Sequence, residues 1–331
     1  MQINSKLPNI GTTIFTVMSG LAKEYNAINL SQGFPDFGCD AKLLELAQKH
    51  LNAGFNQYAP MTGAQALRET ISELLQNCYG TKYHPDTEIT ITAGATQGIY
   101  TSIAAFINKG DEVIVFEPAY DCYIPAIDVH GGVTKPIQLE YPNFTINWNV
   151  VKNTITDKTK MIIINSPHNP TGKIWKKADF EQLYQMIKDT EIMVISDEVY
   201  DLITFDENKF YSICHHPELK NRSFAIFSFG KMFHITGWKV GYILAPEELT
   251  NAFRSVHQYL CFSVNTPAQY ALAKHLEHFE VNANALYLQQ KRDFFLSEMK
   301  DLPFNFAEKT EGSYFQLAKY NQISDLGDLE F

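Results

Sequence analysis

Short apolar runs alternate with helical patterns along this chain. The runs Glu88–Thr92, Val113–Phe116, Met161–Ile164, Ile192–Ile195, Phe224–Phe227 and Val240–Leu244 are bounded by charged or turn residues and have the length of buried strands. Between them, apolar residues recur at helical spacing in Ile99, Ile103, Ala104, Phe106 and Ile107, in Phe180–Ile187 and in Glu247–Tyr259. A strand buried on both faces needs cover on both, so the alternation predicts an α/β fold with a mostly parallel sheet between two helical layers. Farther along, Gly312-Ser313-Tyr314-Phe315-Gln316-Leu317 reads as one more strand.

Composition narrows the class. A chain of 331 residues with 45% apolar content buries one large core and a smaller one, which suggests about two domains. The net charge of −10 is spread along the chain and leaves no basic stripe for nucleic acid. Cys39, Cys78, Cys122, Cys214 and Cys261 are far apart and lack C-x-x-C spacing, so neither a disulfide framework nor a zinc site is indicated. No run approaches the ~18 apolar residues of a membrane helix, and Met1 to Gly11 has no basic region followed by an apolar stretch. A soluble, cytoplasmic protein is expected, with neither membrane nor nucleic acid as partner.

Four strand ends carry the candidate chemistry. After Phe224–Phe227 comes Ser228-Phe229-Gly230-Lys231, with Lys239 eight residues beyond the first lysine. A lysine at a sheet edge, beside a hydroxyl and a second cation, can lose its proton and attack a carbonyl carbon, although most post-strand lysines are solvated surface charges. In Thr90-Ile91-Thr92-Ala93-Gly94-Ala95-Thr96-Gln97-Gly98 a strand stops at a glycine and a helix begins. The free N–H groups of Gly94, Ala95 and Thr96 suit a phosphate, or else the segment is an ordinary strand-to-helix turn. It lacks the dinucleotide and P-loop glycine patterns. The third run ends in Ser196-Asp197-Glu198-Val199-Tyr200 and delivers Asp197 to the crevice where open α/β sheets bind ligands. A buried carboxylate there suits a cation such as a pyridinium nitrogen, which would lower its pKa; a helix N-cap or a Mg²⁺ ligand is the alternative. The fourth, Asn165-Ser166-Pro167-His168-Asn169-Pro170-Thr171-Gly172-Lys173, is a rigid turn that presents the Asn169 amide.

In this order the four segments resemble the fold-type I pyridoxal-phosphate aminotransferases of class I, most closely the methionine and kynurenine/glutamine aminotransferase subgroup. The resemblance runs from about Ile14 to the last residue. It implies that the cofactor is pyridoxal 5′-phosphate, that Lys231 is the Schiff-base lysine and proton shuttle, and that Asp197 is the partner of the ring nitrogen. Asn169 and Tyr200 would donate to the ring's O3′. Ala95 and Thr96, with Ser228 and Lys239, would form the phosphate cup, and Tyr120 would stack on the ring. The loop Asn29–Phe37 would turn the Gly33 amide to the substrate carboxylate, and Asn169 would share that contact. Tyr58 and Phe262 would reach across a homodimer, to the neighbouring subunit's phosphate and substrate pocket respectively. Residues 43–290 would form the large domain, with 1–42 and 291–331 in a small α+β domain and Val281–Met299 as the joining helix.

The implied reaction moves an amino group from an apolar or aromatic amino acid, of methionine, kynurenine or glutamine type, to a 2-oxo acid. Phe15, Tyr120 and Phe262 give the pocket its apolar lining, unless Phe15 is plain core of a helix with Ile14, Val17, Met18 and Leu21. Family members continue beyond the equivalent of Phe331 and carry there an arginine for the substrate carboxylate. Arg68, Arg222, Arg254 and Arg292 match no such role. Two other readings keep the cofactor: a cysteine-S-conjugate β-lyase, and a shortened, non-catalytic pyridoxal-phosphate-binding protein.

Overall fold

A computed structural model describes residues 5–8, 10–33, 37–279 and 283–331. Phe34, Pro35 and Asp36 of the expected carboxylate loop, Val281 of the expected joining helix and the first four residues lie outside them. In chain order the helices are α1 (Ile14–Glu24), α2 (Ala41–Asn52), α3 (Gln65–Tyr79), α4 (Ala95–Phe106), α5 (Tyr123–Val129), α6 (Trp148–Thr154), α7 (Lys177–Ile187), α8 (Phe229–Met232), α9 (Glu247–Leu260), α10 (Thr266–Leu276) and α11 (Ala283–Met299). The strands are β1 (Ile89–Thr92), β2 (Glu112–Glu117), β3 (Val133–Gln138), β4 (Thr159–Asn165), β5 (Met193–Asp197), β6 (Ser223–Ser228), β7 (Gly241–Leu244), β8 (Asn305–Phe306) and β9 (Ala318–Lys319).

Seven strands form the main sheet in the order β1-β7-β6-β5-β4-β2-β3. Only β7 runs antiparallel, to both β1 and β6, so the sheet is mixed and mostly parallel as expected. Successive side chains on each strand point to opposite faces. On β4, Ile162 and Ile164 meet Leu67, Ile71 and Leu75 of α3, Phe180 of α7 and Leu272 of α10 in one core. Met161 and Ile163 enter the other, with Ile99 and Ile103 of α4, Ile127 of α5 and Phe253 of α9. Each such fully buried side chain contributes about 1.5–3 kcal/mol of transfer free energy. Local signals set the helix ends: Asp40 accepts from the Lys42 amide at 2.6 Å to start α2, and Gly80 closes α3 in the left-handed conformation.

Two strand expectations change. The edge strand β3 has no apolar run; only Ile137 is buried and Pro136 sits within it, which an edge that pairs with β2 alone tolerates. The predicted strand Gly312–Leu317 is not one. Ser313 has φ of 60°, and the segment is tied crosswise: the Gly312 amide donates to Gly172 O, and the Ser313 amide to Ile203 O. Strand pairing in this part falls instead to β8 and β9. Gly172 itself has φ of +69°, and a Cβ there would come within 2.5 Å of Thr310.

The end of β5 is fixed by acids behind it. Glu198 is fully buried and accepts from Ser196 Oγ at 2.7 Å and from the Ile213 amide at 2.8 Å, while Asp201 accepts from the Tyr79 hydroxyl at 2.6 Å. Burial pushes Glu198 up to about 8 and Asp201 up to about 7. Both folded-state values are raised from the ordinary 3.8 and 4.5, so the stability these groups contribute in their neutral forms is full below about 4 and is lost progressively as pH rises from there to about 7 for Asp201 and about 8 for Glu198. The melting temperature is therefore expected to fall across that window. In Glu198→Gln, which keeps the acceptor oxygen and cannot ionise, the fall should be shallower; an equal slope in calorimetry contradicts this account.

Candidate active site

Parallel strands release their side chains at one edge of the sheet, and helix α4 starts at that same edge. The result is a cavity of about 330 Å³. It is lined by the expected residues Phe15, Gly33, Gly94, Ala95, Thr96, Tyr120, Asn169, Asp197, Tyr200, Ser228, Lys231 and Lys239. Tyr58 and Phe262 do not line it. They are 81% and 45% exposed and pack edge to face on each other, with ring centroids 5.2 Å apart.

Asp197, the last residue of β5, is 3% exposed. Among the described residues its hydrogen-bond donors are the Tyr123 hydroxyl, 2.6 Å from Oδ2, and the Val199 amide, 3.4 Å from Oδ1. No helix follows it to be capped, and no described cluster of His, Cys, Asp or Glu could hold a metal ion. The carboxyl's own pKa is raised from the ordinary carboxylate value. Burial dominates and pushes it up to about 6, against the opposing pull of Tyr123, Val199 and the more distant Lys231.

Lys231 follows β6 on the one-turn helix α8. Its Nζ donates to the Tyr314 hydroxyl at 3.0 Å and stands 5.5 Å above the centre of the Tyr200 ring. Tyr200 is buried, and burial raises its hydroxyl pKa well above the ordinary value.

The phosphate cup expected from the sequence is a concave patch of backbone. Gly94 has φ of +78° and precedes α4, whose first-turn amides at Ala95 and Thr96 have no acceptor within the helix. Lys239 Nζ lies 3.3 Å from where a Cβ on Gly94 would sit, so a side chain there would fill the cradle. Backbone amides, a helix N-terminus and an ammonium group together fit a phosphate ester. Behind the cup, the Tyr120 hydroxyl lies 3.2 Å from Thr96 Oγ1, and burial pushes its pKa up to about 12.

Asn169 is held by Asn165, whose side chain accepts from the Asn169 amide at 2.7 Å and donates to Asp197 O at 2.8 Å. Phe15 faces the cavity, while Ile14, Val17, Met18 and Leu21 are 40–43% exposed, so α1 is not a plain core helix. None of the four arginines lines the cavity. Arg68 pairs with Asp86, Arg222 donates to Ile187 O and Thr190 O, Arg254 to Ile89 O and Thr90 Oγ1, and Arg292 pairs with Asp206.

Sequence reasoning missed Tyr123, Tyr314, Asn165 and Phe315. Tyr123 was in view, three residues after Tyr120, yet nothing local says that its hydroxyl meets Asp197. The apolar pattern of Gly312–Leu317 reads as a strand and does not show that Phe315 lines the cavity or that Tyr314 reaches Lys231.

The family model described as aminotransferase class I and II matches residues 25–324. Methionine aminotransferase of Escherichia coli (strain K12) is 47% identical over 329 residues, 99% of this chain and 85% of that relative. Kynurenine–oxoglutarate transaminase of Dictyostelium discoideum is 33% identical, over 97% of this chain and 78% of that one. A crystal structure from Escherichia coli, of a protein with an identified methionine aminotransferase function, superposes with a TM-score of 0.96 at 46% identity. It covers 100% of this chain, which spans 87% of it. The chain therefore belongs to the class I and II aminotransferase family.

The Tyr123 hydroxyl donates to the charged form of Asp197 and so holds its pKa down. Such a hydrogen bond contributes ~1.5–3 kcal/mol, equivalent to about one to two pH units. Tyr123→Phe is expected to raise the Asp197 midpoint from about 6 by roughly that amount, read by carbon NMR of aspartate-labelled cofactor-free protein. An unchanged midpoint would show that the hydroxyl does not tune this carboxylate.

Proposed function

We propose that this protein is a pyridoxal 5′-phosphate-dependent aminotransferase that takes the amino group of an apolar or aromatic amino acid, of the methionine type, to a 2-oxo acid. The observation that carries the reading is the meeting in one cavity of a buried carboxylate whose described hydrogen-bond donors are neutral, a lysine amine and a backbone anion cup. Those three groups match the ring nitrogen, aldehyde and phosphate of one small molecule. When bound, pyridoxal phosphate supplies an electrophilic carbon and a ring that accepts the electrons of a broken Cα–H bond.

The residues of the chain do the rest. Asp197 holds a proton on the ring nitrogen, and this pairing lowers its own pKa from about 6. Ala95 and Thr96 amides, Ser228 and Lys239 would hold the phosphate, Asn169 and Tyr200 would donate to the phenolic oxygen, and Tyr120 would pack against the ring. Lys231 Nζ takes the Cα proton of the substrate and returns it elsewhere. Gly33 and Asn169 offer neutral donors to the substrate carboxylate. Phe15 and the neighbouring Phe315 favour an apolar side chain, and the engagement of all four arginines elsewhere in this chain disfavours a second substrate carboxylate.

A homodimer belongs to the same reading. The exposed Tyr58 and Phe262 form an aromatic pair away from their own cavity, as residues that complete a partner's site would. The division into residues 43–290 and a small domain from both ends is supported by the separate β8-β9 sheet. The described cysteines are unpaired, which suits a reducing cytoplasm.

Borohydride reduction of the pyridoxal-phosphate-loaded protein should leave a pyridoxyl group on Lys231 by peptide mass mapping. Lys231→Ala should lower methionine transamination by ~10²–10⁴-fold. A label on another lysine, or an active alanine variant, would contradict the assignment. Pyruvate and ammonia released from a cysteine S-conjugate in preference to transamination would point to the lyase instead.

A further inference from the structure

Tyr314 has no role in the reading above, yet it touches the reactive amine. Its hydroxyl accepts from Lys231 Nζ at 3.0 Å and donates to the carbonyl oxygen of Gly33. A tyrosine hydroxyl has one proton. With that proton given to Gly33, the oxygen can only accept from Lys231, and it cannot donate to the nitrogen lone pair.

The position of this hydroxyl is held from several sides. The Tyr314 ring stands edge-on to Tyr200, with centroids 5.2 Å apart, and lies 5.1 Å from the Phe315 ring. Its backbone enters through Ser313, whose φ is 60° and whose amide donates to Ile203 O at 2.9 Å. Gly33 presses on it so closely that a Cβ there would come within 2.2 Å of Tyr314 Cε2. Position 33 therefore needs glycine for this contact.

We propose that Tyr314 is a catalytic residue of this aminotransferase: its hydroxyl oxygen accepts one N–H of Lys231 and so fixes the direction of Nζ, cannot occupy the nitrogen lone pair when the amine attacks, and ties that alignment to the Gly33 loop. The inference rests on Lys231 as the amine that joins the cofactor. In that step the Nζ lone pair forms a bond to the aldehyde carbon, and the carbonyl oxygen departs as water with both protons of the amine. An aligned lone pair speeds this step without changing how tightly the phosphate and ring dock.

Rapid mixing of cofactor-free protein with pyridoxal phosphate, followed by absorbance, separates the two. The half-saturating concentration reports docking and the plateau rate reports bond formation. In Tyr314→Phe the plateau rate is expected to fall about tenfold, the loss of one hydrogen bond to the reacting group, with the half-saturating concentration unchanged. Gly33→Ala, with the tyrosine retained but displaced, should lower the plateau in the same way. A wild-type plateau in either variant overturns the proposal. So does a plateau that falls in step with weaker docking, because that outcome marks a structural role. Wild-type protein that forms no borohydride-trappable bond at Lys231 overturns the parent assignment instead, so the two failures are distinguishable.

Discussion

The hydrogen bond from the Tyr123 hydroxyl to Asp197 Oδ2, 2.6 Å long and sealed from water, joins the start of α5 to the end of β5. It keeps a carboxylate at the floor of the cavity that burial would otherwise neutralise. Asp197 is set at that depth by its strand: β5 lies between β4 and β6, and its end is tied to Asn165 on one side and braced by the buried Glu198 behind it. A buried negative charge with two neutral donors is stable only near the edge of ionisation. A cation brought to it gains more there than on the surface, because the same carboxylate in water would already be solvated.

The opposite constraint governs Lys231. Its amine must be available to a carbonyl carbon, so it cannot be locked in an ion pair, and its hydrogen-bond partner is a tyrosine whose own proton is engaged. The acid and the amine thus sit in one cavity without being paired directly. That separation lets each meet a different part of one ligand. The Gly33 carbonyl meets the Tyr314 hydroxyl, which meets the amine, and Phe315 beside it brings a segment distant in sequence into the wall of the site.

Much of this was legible in the sequence where chemistry sits at the end of an apolar run. Lys231, Asp197, Asn169 and the Gly94 turn each follow a strand that periodicity identifies, and the sheet brings strand ends together without further information. Tyr123 and Tyr314 were not legible for the converse reason. Their hydrogen bonds span 74 and 83 residues, and no local pattern encodes a partner at that distance. Strand β3 escaped notice because an edge needs little apolar residue content and tolerates Pro136. Gly312–Leu317 misled because Phe315 serves the cavity wall and Tyr314 reaches Lys231, on a segment held by crosswise backbone bonds rather than by a ladder.

Buried Asp197 is proposed to keep a ring nitrogen protonated. Nitrogen NMR of protein loaded with pyridoxal phosphate labelled at the ring nitrogen reads that proton directly. A protonated resonance is expected in the wild type, and it should persist as pH rises well above about 6, since pairing lowers the Asp197 pKa from its cofactor-free value. In Asp197→Asn the resonance should be that of an unprotonated ring. An unprotonated ring in the wild type, or a protonated one in Asp197→Asn, would contradict the account.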